Sequence, residues 1–161
     1  MIPYLNLDEL DDFTESATGR FAEKYAGVSD KIGAQKLDYS VTILQPGKMV
    51  CPFHNHRVTE ELFLILEGSG TLRFGGQEYP LKAHDIIACP PGGRDVAHQI
   101  INTSDAELRY LCLSTHEAAD IVEYPDSNKM MAYTTGEEEG AGFKHIARME
   151  QAVDYYDGEE G

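Results

Sequence analysis

The sequence predicts an all-β domain, an antiparallel barrel or sandwich built from many short strands. Between about residues 37 and 115, β-branched and apolar segments alternate with turn residues at regular spacing, and no helical pattern intervenes. The chain has no internal repeat of 20–50 residues, which favours one β unit over an array of units. Its 161 residues are the length of one domain. We therefore expect a single antiparallel β fold.

The strands of this segment follow one another with few interruptions. Predicted strands cover residues 39–45, 61–67, 71–74, 77–81, 85–89, 96–102 and 107–114. Gly75 and Gly76 separate two of them and favour a tight hairpin, because glycine readily adopts positive φ. Prolines and glycines at 46–47 and 90–93 end two others. Residues 37–115 are thus the predicted β core.

The two flanks of this core are predicted to be less regular. Residues 1–36 form an N-terminal arm, with a short capped helical turn after Asn6. Residues 116–161 form an irregular C-terminal extension, in which residues 120–124 favour one more strand. The acidic, glycine-rich stretches 136–140 and 155–161 favour loop or tail.

Composition narrows the classes of partner and the compartment. The net charge is −15, from 28 acidic residues against 13 lysines and arginines, so phosphate backbones and anionic membranes are disfavoured partners. Three widely spaced cysteines, Cys51, Cys89 and Cys112, favour buried thiols in a reducing compartment over a disulfide framework. The N-terminus has no signal-peptide pattern and no stretch is apolar enough for a membrane helix. We expect a cytoplasmic protein whose partner is a small molecule, not nucleic acid or membrane.

Four side chains of ligand type are the most informative feature. His54 and His56 stand two residues apart on an extended segment, so they point to one face of a strand. Glu61 follows five residues later, and His98 lies on a later predicted strand. Together they would give a four-ligand site of mixed imidazole and oxygen character.

The stretch from Gly47 to Gly68 resembles the first motif of the cupin family, in which a glycine precedes His-x-His, a glutamate follows, and a glycine comes seven residues after it. Glu61 stands at that distance from Gly68, so the resemblance favours Glu61 over Glu60 as the ligand. Glu60 would then point to the opposite face of the strand.

The second cupin motif is similar but altered. Pro90-Pro-Gly92 matches its Pro-x-Gly, and His98 to Asn102 matches its final His-x-x-x-Asn. Five residues, 93–97, lie between these parts where the family usually has two, and His84 stands in the usual glycine position. The resemblance covers roughly residues 37–115. It implies a double-stranded β-helix that holds one divalent metal ion by three histidines and one glutamate inside the barrel mouth.

The ligand set limits the metal without identifying it. Three neutral imidazoles and a carboxylate suit Fe, Mn, Ni, Co, Cu or Zn, and an octahedral ion would keep two open positions. A hydroxycarbonyl substrate or O2 could occupy these positions. No cysteine stands at a motif position, which argues against a structural zinc site.

Further side chains are weaker candidates for substrate contacts. An arginine that points into the barrel would hold a carboxylate or phosphate, although an outward position is the more ordinary one for a strand arginine. The longer loop at 93–97 would bring Arg94 to the rim of the pocket. The candidates are Arg73, Arg94, Gln99, Arg109 and Tyr110. The sequence does not identify a catalytic acid or base.

Three functions follow from these expectations. The first is a metal-dependent isomerase of sugars or sugar phosphates, in which a metal polarises a hydroxycarbonyl and another group moves the proton. The second is an Fe(II)-dependent dioxygenase, and the third is a binding or sensing module without turnover. A homodimer is expected from the resemblance and from the prevalence of two-fold oligomers.

Overall fold

The computed structural model describes residues 3–136 and 141–160, and about half of these residues lie in antiparallel strands. The strands are β1 (Thr14–Thr18), β2 (Phe21–Gly27), β3 (Leu37–Leu44), β4 (Asn55–His56), β5 (Glu61–Glu67), β6 (Ser69–Phe74), β7 (Gln77–Lys82), β8 (Ile86–Cys89), β9 (His98–Ile101), β10 (Leu108–Thr115), β11 (Ala119–Tyr124), β12 (Lys129–Thr134) and β13 (Phe143–Arg148). A four-residue helix, α1 (Ser29–Ile32), joins β2 to β3. Short 3-10 turns lie at Leu7–Glu9, Arg94–Val96, Pro125–Ser127 and Met149–Gln151. The predicted all-β class is confirmed.

The strands form three sheets. A six-stranded sheet has the order β1-β2-β3-β10-β5-β8, a three-stranded sheet has the order β7-β6-β9, and a four-stranded sheet has the order β13-β12-β11-β4. The predicted hairpin at Gly75 joins β6 to β7, with Gly75 at φ +56°. Gly68 separates β5 from β6 at φ +83°, and a side chain there would collide with the Glu107 carbonyl.

A closed apolar core joins the inner faces of the six-stranded and three-stranded sheets. Leu44, Ile65 and Leu108 are fully buried on β3, β5 and β10, and Leu72 and Ile100 meet them from β6 and β9. Three members of this cluster, Phe63, Ile100 and Tyr110, also line a cavity inside the barrel.

The outer face of the six-stranded sheet is covered by the N-terminal segment. Leu10 packs there against Ala26 of β2 and Val41 of β3. Arg109 of β10 donates a hydrogen bond from Nη2 to the carbonyl of Leu7, at 2.7 Å. The beginning of the predicted arm is therefore packed against the barrel.

Both flanks contain strands where an arm and an irregular extension were expected, which corrects that part of the prediction. All five residues of β1 are exposed, so no alternation of apolar and polar residues marks this strand in the sequence. β12 is intermediate in burial along most of its length and β13 is mostly exposed, so neither strand shows an alternation of buried and exposed residues. Both strands join β11, the strand expected at 120–124, in the four-stranded sheet.

Two remaining expectations concern the acidic stretches. Residues 155–158 form an exposed turn, as expected for a tail. The expected loop at 136–140 lies outside the described residues except for Gly136. Within the described ranges, no helix has the length and apolar character needed to cross a membrane.

Candidate metal centre

His54 and His98 are brought together by a local backbone pairing. The two residues form an isolated antiparallel bridge, in which the N–H of each donates to the carbonyl of the other at 3.1 and 2.7 Å. Their ring centroids are 4.6 Å apart. Both residues are buried, so the pairing fixes two imidazoles side by side inside the barrel.

His56 and Glu61 reach the same point from two other strands. His56 lies on β4 and pairs with Val122 of β11, whereas Glu61 begins β5 and pairs with Ser114 of β10. The neighbouring Glu60 is exposed, in agreement with the expectation that it points away from the site. The side chains converge although their strands belong to different sheets.

The three imidazoles surround one carboxylate oxygen. The Nε2 atoms of His98, His56 and His54 lie 2.9, 3.5 and 3.7 Å from Oε2 of Glu61. Ligand atoms of His54, Glu61 and His98 all lie within 4.8 Å of one another, which is the spacing of groups that can share one metal ion. His56 joins this group through its contact with Glu61.

The other ring nitrogen of each histidine is already engaged. Nδ1 of His54 lies 2.9 Å from the carbonyl of Pro52, and Nδ1 of His98 lies 3.3 Å from the carbonyl of Val96. Because a carbonyl accepts and cannot donate, Nδ1 must carry the hydrogen in both rings. In the neutral ring the Nε2 lone pair then faces the centre and can bind a cation, as in metal-ligating histidines, whereas a protonated Nε2 donates to Glu61 instead.

Nδ1 of His56 is held by a buried carboxylate, that of Asp120, at 2.7 Å. Asp120 also accepts hydrogen bonds from the backbone N–H groups of Arg57, Val58 and Thr59, at 3.0–3.2 Å. Burial would raise the pKa of Asp120, but the hydrogen bonds from Thr59 and His56 outweigh it and lower this pKa below its usual value. Asp120 therefore stays ionised and fixes both the orientation of the ring and the course of the loop after it.

Charge at the centre favours a cation. Burial would raise the pKa of Glu61, but hydrogen bonds from His54 and His98 lower it well below the usual range. Burial would likewise lower the pKa of His54, but Cys51 and Glu61 beside it raise it above its usual value. The cluster thus keeps an anionic oxygen and stabilises positive charge beside it. Three imidazole nitrogens and one carboxylate oxygen fit a first-row divalent ion, and His54, His56, Glu61 and His98 are the residues that would hold it.

A cavity of about 280 Å³ opens next to these side chains. Its volume is at the small end of the range for ligand pockets. The wall includes His54, Glu61 and His98 at the metal centre. Alternate residues on the inner face of β2, β3 and β10 line it as well: Glu23, Tyr25, Ser40, Thr42, Tyr110 and Cys112.

Two of the predicted substrate contacts line this cavity. Gln99 is buried in its wall, where its Nε2 donates to the carbonyl of Cys51 at 2.7 Å and its Oε1 accepts from Arg73 at 2.9 Å. Tyr110 is buried too, and burial raises the pKa of its hydroxyl well above the usual value. The Tyr110 hydroxyl is therefore protonated at neutral pH and can donate a hydrogen bond.

The three arginines named as weaker candidates for substrate contacts are not among the described residues that line the cavity, and other groups hold them. Arg73 forms a two-pronged ion pair with Asp126 at 2.9 and 3.1 Å, and Arg94 donates to Asn128 at 2.8 Å. Arg109 points to the outer face of the sheet, where it holds the N-terminal segment. Strand alternation limits each of these arginines to one of two faces of its sheet. The N-terminal and C-terminal segments, which supply their partners, determine which face that is.

Several residues of the site were not singled out from the sequence. Asp120 begins a predicted strand, and Tyr124 ends it and stacks against His54 with ring centroids 6.4 Å apart. Glu23 and Tyr25 lie on β2, inside the segment expected to be an arm. No local spacing links any of them to the histidines, because their proximity depends on the pairing of β11 with β4 and of β2 with β3.

Comparison with known proteins identifies the relatives of this chain. Residues 40–114 match the family model described as the cupin domain. A proposed sugar phosphate isomerase from Acidithiobacillus ferrooxidans has a similar structure, with a TM-score of 0.82, 22% identity, and coverage of 94% of this chain and 95% of that chain. A cupin-superfamily sugar phosphate isomerase from Silicibacter pomeroyi has a TM-score of 0.76 at 23% identity, covering 96% and 98%. At these identities the likeness shows the fold.

Sequence relatives match shorter stretches. The oxalate-binding protein of Thermotoga maritima is 33% identical over 70 residues, which cover 44% of this chain and 54% of that protein. The matched stretches span 54–62% of the length of the three curated relatives.

Proposed function

We propose that this chain, whose residues 40–114 match the cupin domain model, is a cupin that acts as a metal-dependent isomerase on a small hydroxycarbonyl metabolite in the barrel cavity. The observation that carries the proposal is the convergence of three Nε2 atoms on one oxygen of Glu61, with the Nδ1 atom of each ring held by its own acceptor. Such a preset arrangement is what a bound divalent ion requires.

A divalent ion bound there would act as a Lewis acid on a carbonyl or an adjacent hydroxyl of the ligand. Gln99 and Tyr110 line the cavity, and Tyr110 is the proposed contact for a ligand oxygen, because the amide nitrogen of Gln99 already donates to Cys51 and Met49. The buried, protonated hydroxyl of Tyr110 donates a hydrogen bond, which helps to orient a carbonyl or hydroxyl group. The similarity to two proteins named as sugar phosphate isomerases, over more than nine-tenths of this chain, supports this reaction class over others.

A second candidate function is a binding module that holds a small organic acid without turnover. The similarity to an oxalate-binding protein favours it, because oxalate is a compact chelating ligand of a metal centre. The two functions share the metal and differ in whether the bound molecule is converted.

The first test is the metal content of untagged protein by mass spectrometry, together with an EPR spectrum of the same sample. We expect a near-stoichiometric divalent metal in the wild type and background metal in His56→Ala, with the β-sheet signal in circular dichroism unchanged. Equal metal in the two proteins would contradict the assignment of the site.

The identity of the metal then directs the activity test. Zinc, manganese, nickel or cobalt leads to assays of aldose–ketose interconversion, where a product peak absent from His56→Ala supports the proposal. Stoichiometric iron with substrate-dependent oxygen uptake would replace the isomerase by a dioxygenase. A protein that binds metal and oxalate but converts no hydroxycarbonyl would favour the binding module.

A further inference from the structure

The cavity has a second polar end, opposite the metal centre. Tyr25 of β2 pairs with Thr42 of β3, which pairs with Tyr110 of β10. Glu61 pairs with Ser114, four positions further along β10. Glu23 precedes Tyr25 on β2 and lines the same cavity, so the register places it on the far side of this row from Glu61.

The carboxyl group of Glu23 has spare hydrogen-bonding capacity. Its Oε2 atom is buried and, within the described part of the chain, has no hydrogen-bond partner. A buried polar atom without a partner is costly, and natural proteins keep such atoms mainly where a ligand or water satisfies them. Burial also raises the pKa of Glu23, which shows how little compensation the protein itself provides.

Positive charge is missing from this end of the cavity. Among the described residues that line the cavity, none is a lysine or an arginine. Lys24 and Lys48 line a separate pocket that Glu23 also borders, where Lys24 pairs with Glu15 and Lys48 donates to the carbonyl of Gly19. Arg73 lies behind Gln99 and is neutralised by Asp126. Arg109 is engaged with the carbonyl of Leu7 on the outer face.

We propose that the cavity takes an uncharged polyhydroxylated ligand, an unphosphorylated monosaccharide, and that Glu23 selects this ligand by accepting hydrogen bonds from its hydroxyl groups and by repelling phosphate. The inference rests on the proposed function, which places the carbonyl end of the ligand at the histidines. A sugar phosphate in that orientation would direct its phosphate towards the carboxylate of Glu23. Like charges at a partly buried position repel each other, and no lysine or arginine among the described residues that line the cavity offsets the repulsion.

The size of the cavity agrees with this ligand class. About 280 Å³ is at the low end for ligand pockets, which suits a compact molecule. Hydroxyl groups along such a molecule would face Thr42 and Tyr110 in the middle and Glu23 at the end. Each of these side chains can accept a hydrogen bond from a hydroxyl group.

The test measures dissociation constants of D-fructose and D-fructose 6-phosphate on zinc-loaded protein by ligand-observed NMR. We expect the free sugar to bind at least about tenfold more tightly than its phosphate ester, because the like charge of Glu23 opposes the ester. Glu23→Gln removes the charge and keeps an acceptor oxygen, so the preference should shrink by about tenfold, mostly through tighter binding of the ester. Glu23→Leu removes the acceptor and should weaken binding of the free sugar by about tenfold.

Glu67→Gln is the matched control. It removes the same charge from an exposed position at the end of β5, so it should leave both constants unchanged. All variants should hold as much zinc as the wild type, which shows that they are folded. Tighter binding of the ester in the wild type, binding of neither probe, or an unchanged preference in Glu23→Gln would each overturn the inference.

The same samples separate this inference from the proposed reaction. If fructose binds in a Glu23-dependent way but is never isomerised, the isomerase proposal fails and the ligand class stands. If fructose 6-phosphate is bound preferentially and isomerised, the ligand class is wrong and the reaction class stands.

Discussion

The two ends of the barrel cavity differ in how their polar groups are held. At the metal centre each histidine has a second contact that fixes its ring, most clearly His56 on the buried carboxylate of Asp120. At the opposite end, the buried oxygen of Glu23 has no hydrogen-bond partner in the described structure. A fixed centre is suited to one ion with strict geometry, whereas an unpaired acceptor is left for a ligand to satisfy. Substitutions at the two ends should therefore change different observables.

The largest effect is expected at the carboxylate of the centre. Glu61→Ala removes the oxygen on which the three Nε2 atoms converge, so bound metal should fall to background in mass spectrometry of dialysed protein. Glu60→Ala is the control, since it deletes an adjacent carboxylate that is exposed, and it should keep the wild-type metal content. Loss of metal in Glu60→Ala with retention in Glu61→Ala would show that the wrong carboxylate was assigned.

The next effect tests whether the fixed orientation of His56 matters. Asp120→Asn keeps the size of the side chain but removes the charge that holds Nδ1, so metal affinity should fall by about 10–100-fold. The measurement is competition with a chromogenic chelator. Asp38→Asn removes a similar contact with an exposed histidine, His116, and should leave the affinity unchanged. Equal affinities in all three proteins would mean that the contact to Asp120 has no role in metal binding.

The features that the sequence predicts are those that depend on local patterns. β5 was predicted at its observed bounds, because an apolar run between a turn and Gly68 is a local signal. His54, His56, Glu61 and His98 were chosen from local spacing and a motif resemblance, and the structure brings these side chains together. That they bind metal stays a prediction.

The residues that the sequence did not reveal depend on pairing between distant strands. Asp120 reaches His56 only because β11 pairs with β4, and Glu23 reaches the cavity only because β2 pairs with β3. The hairpin that carries Glu23 begins with β1, which is exposed throughout, so hydrophobic alternation could not mark it. The sequence favoured an outward position for Arg73 and Arg109 but could not identify the groups that hold them there. Their partners, Asp126 and the Leu7 carbonyl, come from the two flanks.

A smaller effect tests the support of the Glu23 end. Leu10 packs against Ala26 and Val41 on the outer face of the sheet, behind β2 and β3. Leu10→Ala should lower the free energy of unfolding by about 2 kcal/mol, the low end for a buried leucine, in urea denaturation followed by circular dichroism. Leu37→Ala, at a leucine that is 41% exposed, is the control and should change it much less. Metal content of the folded protein should be unchanged in both, because the metal centre is built on other strands.

The smallest effect concerns the ion pair between Arg73 and Asp126, which lies outside the cavity behind Gln99. The hydrogen bond from Arg73 lowers the pKa of Asp126 below its usual value. A carboxyl whose pKa is lower in the folded state stabilises the fold above its unfolded pKa of about 3.9, and this contribution is lost as the pH falls further. Because both side chains are partly exposed, Asp126→Asn should cost less than about 1 kcal/mol at pH 7.

The pH dependence distinguishes this pair from a packing effect. The difference in unfolding free energy between wild type and Asp126→Asn should disappear as the pH falls below about 4, and high salt should reduce it at pH 7. Asp105→Asn, at an exposed position, should show no such difference. A difference that persists at low pH would mean that Asp126 acts through packing. We expect Asp126→Asn to keep its metal, because the ion pair and the metal centre are built from different residues. A loss of metal would instead show that the contact from Arg73 through Gln99 couples this surface to the metal centre.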